Sequence, residues 1–150
     1  MKTWGIGYDK SKERAKKIYK NIGIILSPAL GGSEVLFSSI GFTHLLRKGR
    51  IPRPRNEQKK RFTLLEYAES IVRNPEAKIV YKEQERKVEI DRHGEKLIKT
   101  SKICFWTFIE KIEDCNVKVV ISQVDAGKKH FFSIMGDNII IDKTLKKTSF

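Results

Sequence analysis

Two periods divide the chain. Up to residue 74 apolar side chains recur at three- and four-residue spacing, and from Pro75 onward they recur at every second residue. In "DKSKERAKKIYKNI", residues 9 to 22, Ala15, Ile18, Tyr19 and Ile22 form one apolar stripe, which predicts a basic amphipathic helix. "SPALGGS" (27 to 33) is broken by proline and glycine and reads as a loop. "EVLFSS" (34 to 39) suits a short strand. A helix is expected to follow over about 41 to 48, stopped by Gly49, Pro52 and Pro54. "IPRPRNEQKK" (51 to 60) reads as an extended, mobile basic loop, because its prolines oppose regular helix.

A third helix is expected over 61 to 74, where Phe62, Leu64, Leu65, Ala68, Ile71 and Val72 make a wide apolar face and Asn74–Pro75 ends it. Then come alternating strands, "AKIVYKE", "RKVEIDR", "KICFWTFIEKI", "VKVVISQV", "KHFFSIM" and "NIIID". "QE" at 84 to 85 could make a tight turn between the first two, and "DRHGE", "EDCN", "DAGK" and "GD" have turn composition. Helices first and strands afterwards imply an α+β fold, with N-terminal helices packed on one face of a twisted antiparallel sheet of about four to six strands. The expected division is a basic helical arm and loop over 1–33, followed by an α+β domain over 34–150.

Composition adds a partner class. The chain has 150 residues, with 31 Lys and Arg against 18 Asp and Glu, a formal charge of +13. The excess is concentrated. Residues 47 to 61 hold eight basic residues against Glu57, and residues 1 to 20 hold seven against Asp9 and Glu13; together these stretches carry +12 of the total. A polyanion is the expected partner, against the plainer alternative of solubility alone. No apolar run approaches the ~18 residues of a membrane span, and the N-terminus has no secretory h-region. Cys104 and Cys115 lack metal spacing and read as free core thiols in a reducing compartment, so the expected site of action is cytoplasmic.

The charge also changes the reading of one histidine. On a helix over 42 to 48, Phe42, Leu45 and Leu46 fall on one side, and His44, Arg47 and Lys48 on the other. An idle surface histidine is the plain alternative. Neighbouring cations disfavour imidazolium, so such a histidine stays neutral and ready to accept a proton. Beside bound phosphate it could take the 2′-hydroxyl proton of RNA, while the cations stabilise charge developing at phosphorus, with no metal and no cofactor. Elsewhere, Arg92 and His93 sit in a turn. Alternation in "KHFFSIM" puts Lys129, Phe131, Ser133 and Met135 on one face and His130, Phe132 and Ile134 on the other, a cation, an aromatic and a hydroxyl together on the first. No phosphate-loop, dinucleotide, nucleophile-elbow or zinc-protease motif is present, and three scattered histidines make a metal site an unfavoured reading.

The layout resembles the BECR-type metal-independent ribonucleases, the broad group of barnase, EndoU, the colicin-type tRNases and RelE, and especially its prophage and polymorphic-toxin members. The resemblance covers about residues 34 to 135. It rests on a strand leading into a short histidine-bearing helix ("VLFSSIGFTHLLRKG"), a helix and antiparallel sheet ("LLEYAESIVRNPEAKIVYKE" onward), and a late strand with a serine ("KHFFSIM"). It implies an RNA-cleaving toxin domain, tRNA being one candidate substrate, with an acidic immunity or antitoxin partner. It implies His44 as the main acid/base group, Ser133 as the late-strand polar residue, and phosphate held by Arg47 or Lys48 with Arg53 or Arg55. The expected catalytic set is His44, Lys48 and Ser133, with RNA contacts from Arg47, Arg50, Arg53 and Arg55 and, on the reading of the residues alone, from Arg92, Lys129, His130 and Phe131. Two rival readings are a non-catalytic RNA-binding module using the 47–61 loop and a DNA-associated protein; the latter lacks a second recognition helix.

Overall fold

The computed structural model describes residues 7–136. The order is α1 (Tyr8–Ile22), β1 (Ile24–Ser27), β2 (Ser33–Leu36), α2 (Ser39–Leu46), β3 (Arg47–Lys48), β4 (Ile51–Pro52), α3 (Arg55–Leu64), α4 (Ala68–Arg73), β5 (Lys78–Arg92), β6 (Glu95–Ile112), β7 (Cys115–Val124) and β8 (Lys129–Gly136). A 3₁₀ turn, Leu65–Tyr67, joins α3 to α4, so the two make one helical run from residue 55 to 73. The fold is α+β. Six strands form one sheet in the order β1-β2-β8-β7-β6-β5, and β3 and β4 pair separately. The pairings in the large sheet are antiparallel except β2 with β8, which is parallel and touches only at Val35–Lys129 and Leu36–His130. The strand expected at 138 to 142 lies outside the described residues.

Helical periodicity sets the core. Phe62, Leu65, Ala68, Ile71 and Val72 are all buried, and they pack with Ala15 and Tyr19 of α1 against Val117, Val119, Ile121, Phe131 and Ile134 of β7 and β8. Each large apolar side chain so removed from water contributes about 1.5–3 kcal/mol before entropy is counted. The buried Ser27 hydroxyl donates to the Val72 carbonyl (2.9 Å), tying β1 to the end of α4. The expected boundary at residue 33 therefore falls inside the β1–β2 hairpin. Residues 8 to 33 belong to the same core, because α1 buries Ala15 and Tyr19 in it.

Two further expectations change. "QE" is not a turn: β5 runs unbroken to Arg92, and the chain reverses at His93 and Gly94, both at positive φ. β7 pairs with β6 only from Ile103 to Ile112, so the β5–β6 hairpin beyond that point projects as a two-stranded ribbon roughly 30 Å long. Nor are residues 51 to 60 a mobile loop. They supply β4, the second strand of the β3–β4 hairpin, and then enter α3 directly after Pro54. Proline lacks only a donor that the first turn of a helix leaves unpaired anyway, and it favours extended backbone just before it.

Candidate active site

The free part of β8's edge is where the site forms. Because β2 covers only its first two residues, α2 and α3 close against the rest. Gly41 permits this: a side chain there would collide with the Phe131 carbonyl and the Tyr19 hydroxyl. The Tyr19 hydroxyl donates to the Ser38 carbonyl at 2.6 Å and fixes the start of α2.

His44 is half-buried in the last turn of α2, with its ring 4.1 Å from that of Phe132. Phe132 in turn meets Phe105 edge-on at 5.5 Å. A β-bulge makes this possible. Val120 pairs with Ser133 and Ile121 with Phe131, so Phe132 is the extra residue between them. The bulge also overturns the alternation expected for this strand. Phe131 and Ile134 share the core side with Ile121 and Val119, while His130 and Ser133 lie on the other.

Arg53 supplies the cation that His44 feels. Its Nε donates to the His44 carbonyl (2.9 Å) and its main-chain N–H to the Leu46 carbonyl (2.8 Å). Its Nη1 reaches Glu57 Oε2 at 2.8 Å. The same carboxylate oxygen takes Arg61 Nε at 3.2 Å and Nη2 at 3.1 Å. Arg61 Nη1 then donates to Ser133 Oγ and to the Ile134 carbonyl, both at 2.9 Å, satisfying polar atoms of β8 where β2 no longer pairs with it. The result is a continuous chain, His44–Arg53–Glu57–Arg61–Ser133. The two arginine side chains are only 12% and 13% exposed, against 40% for Glu57, so two nearly buried cations share one carboxylate. Burial, and secondarily Arg53, hold the His44 pKa below its ordinary 6.5. Burial and then Arg53 lower that of Arg61, with Glu57 opposing. The imidazole is thus biased toward its neutral, proton-accepting form.

The other expected residues separate. Arg47 and Lys48 are not on the helix with His44. Main-chain geometry turns extended at Arg47, and both lie with Arg50 on the exposed β3–β4 hairpin, where Arg47 Nη1 donates to the Arg50 carbonyl at 3.1 Å. Lys48 therefore does not share His44's helical face as expected. Arg55 lies over the Tyr8 ring at 4.3 Å. Phe131 is fully buried, stacked on Phe37 at 4.8 Å, and so is a core residue and not an RNA-stacking one. Lys129 sits over Trp106 (5.1 Å) on the side of Phe131, away from Ser133. Arg92 stands beside the tip of the ribbon, far along it from β7. His130 meets the opposite end of α2 from His44: its Nδ1 lies 3.1 Å from Ser38 Oγ, at the start of that helix.

Glu57, Arg61, Phe132 and Ser38 were not singled out by the sequence reading. A signal existed for the first two: Arg53, Glu57 and Arg61 are spaced by four, the interval at which helical neighbours meet. Reading 51 to 60 as loop concealed it. Among the described residues no three His, Cys, Asp or Glu side chains are grouped to hold a metal, and no helix is long and apolar enough to cross a membrane. No family model, curated protein or solved structure matches this chain.

Proposed function

We propose that the chain is a metal-independent endoribonuclease of the toxin type, with His44 as its proton-transfer group. One observation carries the reading. His44, whose imidazole is biased toward its neutral form, holds Arg53 through its main-chain carbonyl, and Arg53 and Arg61 are two nearly buried guanidiniums that a single carboxylate neutralises only in part. In the proposed reaction the His44 imidazole accepts the 2′-hydroxyl proton as the 2′-oxygen attacks phosphorus. The bond to the 5′-oxygen breaks and that oxygen takes a proton from water, while the His44 imidazolium returns its proton to solvent, leaving a 2′,3′-cyclic phosphate and a 5′-hydroxyl. Arg53 and Arg61 stabilise the charge that develops on the phosphoryl oxygens. The exposed basic hairpin would draw RNA toward the site. An acidic inhibitory protein would cover the same surface, and the cytoplasm would be the site of action.

The test is incubation of purified protein with total cellular RNA in the presence of EDTA, and with a DNA oligomer of matched sequence. The reading requires RNA fragments ending in 2′,3′-cyclic phosphate and intact DNA. No cleavage of any RNA would transfer the basic hairpin to the rival function, an RNA-binding module without chemistry.

A further inference from the structure

The Arg53–Glu57–Arg61 triplet has a geometry that a structural clamp does not require. Its three contacts, at 2.8, 3.1 and 3.2 Å, converge on one oxygen, Glu57 Oε2. Each guanidinium is already held from behind, Arg53 by the His44 carbonyl and Arg61 by Ser133 Oγ and the Ile134 carbonyl. The carboxylate is the most exposed member of the three. A fork from Arg61 (Nε and Nη2) and the Nη1 of Arg53 aimed at a single oxygen are poorly matched, since a guanidinium can engage two oxygens of one anion. A phosphate group with three terminal oxygens could serve both guanidiniums at once.

We infer that Arg53 and Arg61 form a phosphate-monoester site and that Glu57 is its internal competitor, a carboxylate that keeps the two cations oriented until phosphate displaces it. The ligand class is a terminal phosphate such as a 3′-phosphate; that its natural source is cleaved RNA, after water has opened the 2′,3′-cyclic end to a 3′-monoester, rests on the ribonuclease reading. The buried cations explain why a placeholder is needed. With nothing between them, the guanidiniums would repel each other in a poorly solvated site. Glu57 is open to the exchange, because its side chain is partly exposed to water and it lies in the first turn of α3.

The experiment titrates the protein with adenosine 3′-monophosphate and, separately, with inorganic phosphate, neither of which has a bond for a ribonuclease to cut. Glu57→Gln keeps the side chain's shape and removes its charge, so it should bind both ligands about three- to tenfold more tightly, the modest gain fitting a partly exposed ion pair. Arg61→Lys and Arg53→Lys keep the charge and lose the fork, and each should weaken binding by about tenfold or more. In the unaltered protein, the Glu57 side-chain carboxyl carbon signal in NMR should move on phosphate addition, a readout that does not depend on any variant folding. Unchanged or weaker binding by Glu57→Gln, an unmoved Glu57 signal, or binding indifferent to both lysine variants would overturn the inference and leave the triplet a structural clamp. Phosphate binding with this pattern in a protein that cleaves no RNA would sink the ribonuclease reading and leave the site standing. The reverse result would do the opposite.

Discussion

Arg47, Lys48 and Arg50 stand on an exposed hairpin, whereas Arg53 and Arg61, a few residues later in the same basic run, are almost wholly buried. The residue types and the sign of the charge are the same. What separates them is where the chain turns inward: Arg53 is held by the His44 and Leu46 carbonyls, and after Pro54 the backbone enters α3, which carries Glu57 and brings Arg61 to β8. On the hairpin, charge is screened within about 8 Å at physiological salt, so it acts on the approach of a polyanion more than on any fixed contact. In the triplet, charge is poorly solvated, fixed by named acceptors and strong enough to bias a neighbouring imidazole. A run of positive charge in a sequence can thus hold two functions, and burial decides which residue serves which.

The sharpest break in this contrast should come from the inner side of the same helical run. Leu65 is fully buried where α3 passes into α4. Leu65→Asp places an unpaired carboxylate there and should abolish cooperative thermal unfolding. A normal transition would mean that the helical run packs by another face. Arg61→Ala should cost about 2–4 kcal/mol in urea unfolding, because Ser133 Oγ and the Ile134 carbonyl lose their donor. A loss below about 0.5 kcal/mol would place Arg61 with the surface residues. Replacing Arg47, Lys48 and Arg50 together with Gln should change stability by no more than about 0.5 kcal/mol. It should flatten the salt dependence of RNA binding, by about 0.7 in log–log slope for each single-strand phosphate that the hairpin no longer neutralises. An unchanged slope would remove the hairpin from the RNA-facing surface.

The acidic limb of the pH profile gives a smaller and more local test. Burial and Arg53 both disfavour imidazolium, so the neutral base persists below the ordinary value. The limb of kcat/KM should therefore fall with a midpoint below 6.5. Arg53→Gln removes the second cause and leaves the first, so the midpoint should rise toward 6.5 without passing it. A midpoint above 6.5 in the parent would contradict the environment assigned to His44.

Much of this architecture was legible. Phe62, Leu65, Ala68, Ile71 and Val72 carry a helical period that tertiary packing then obeys, and the strands from residue 102 to 135 read correctly because their alternation faces a real core. The failures have local causes. Residues 84 to 85 read as a turn because no core dictates alternation in a ribbon exposed on both faces. A one-residue bulge at Phe132 reversed the expected sides of the following positions, and periodicity alone cannot reveal an inserted residue. His44 was legible as a base beside cations, but the cation named for it was wrong. Arg47 and Lys48 would have shared its face had α2 continued; α2 ends at Leu46, and the next turn of chain brings Arg53 back instead.

The measurement that bears most directly on the proposed chemistry is single-turnover RNA cleavage by His44→Ala beside the parent, with RNA affinity measured on both. The His44 ring packs on Phe132, and the His44 carbonyl, which the substitution keeps, is what anchors Arg53. The variant should therefore fold and bind RNA about as the parent does, while cleaving about 100-fold or more slowly. Cleavage at the parental rate by a folded His44→Ala protein would contradict the account at its centre.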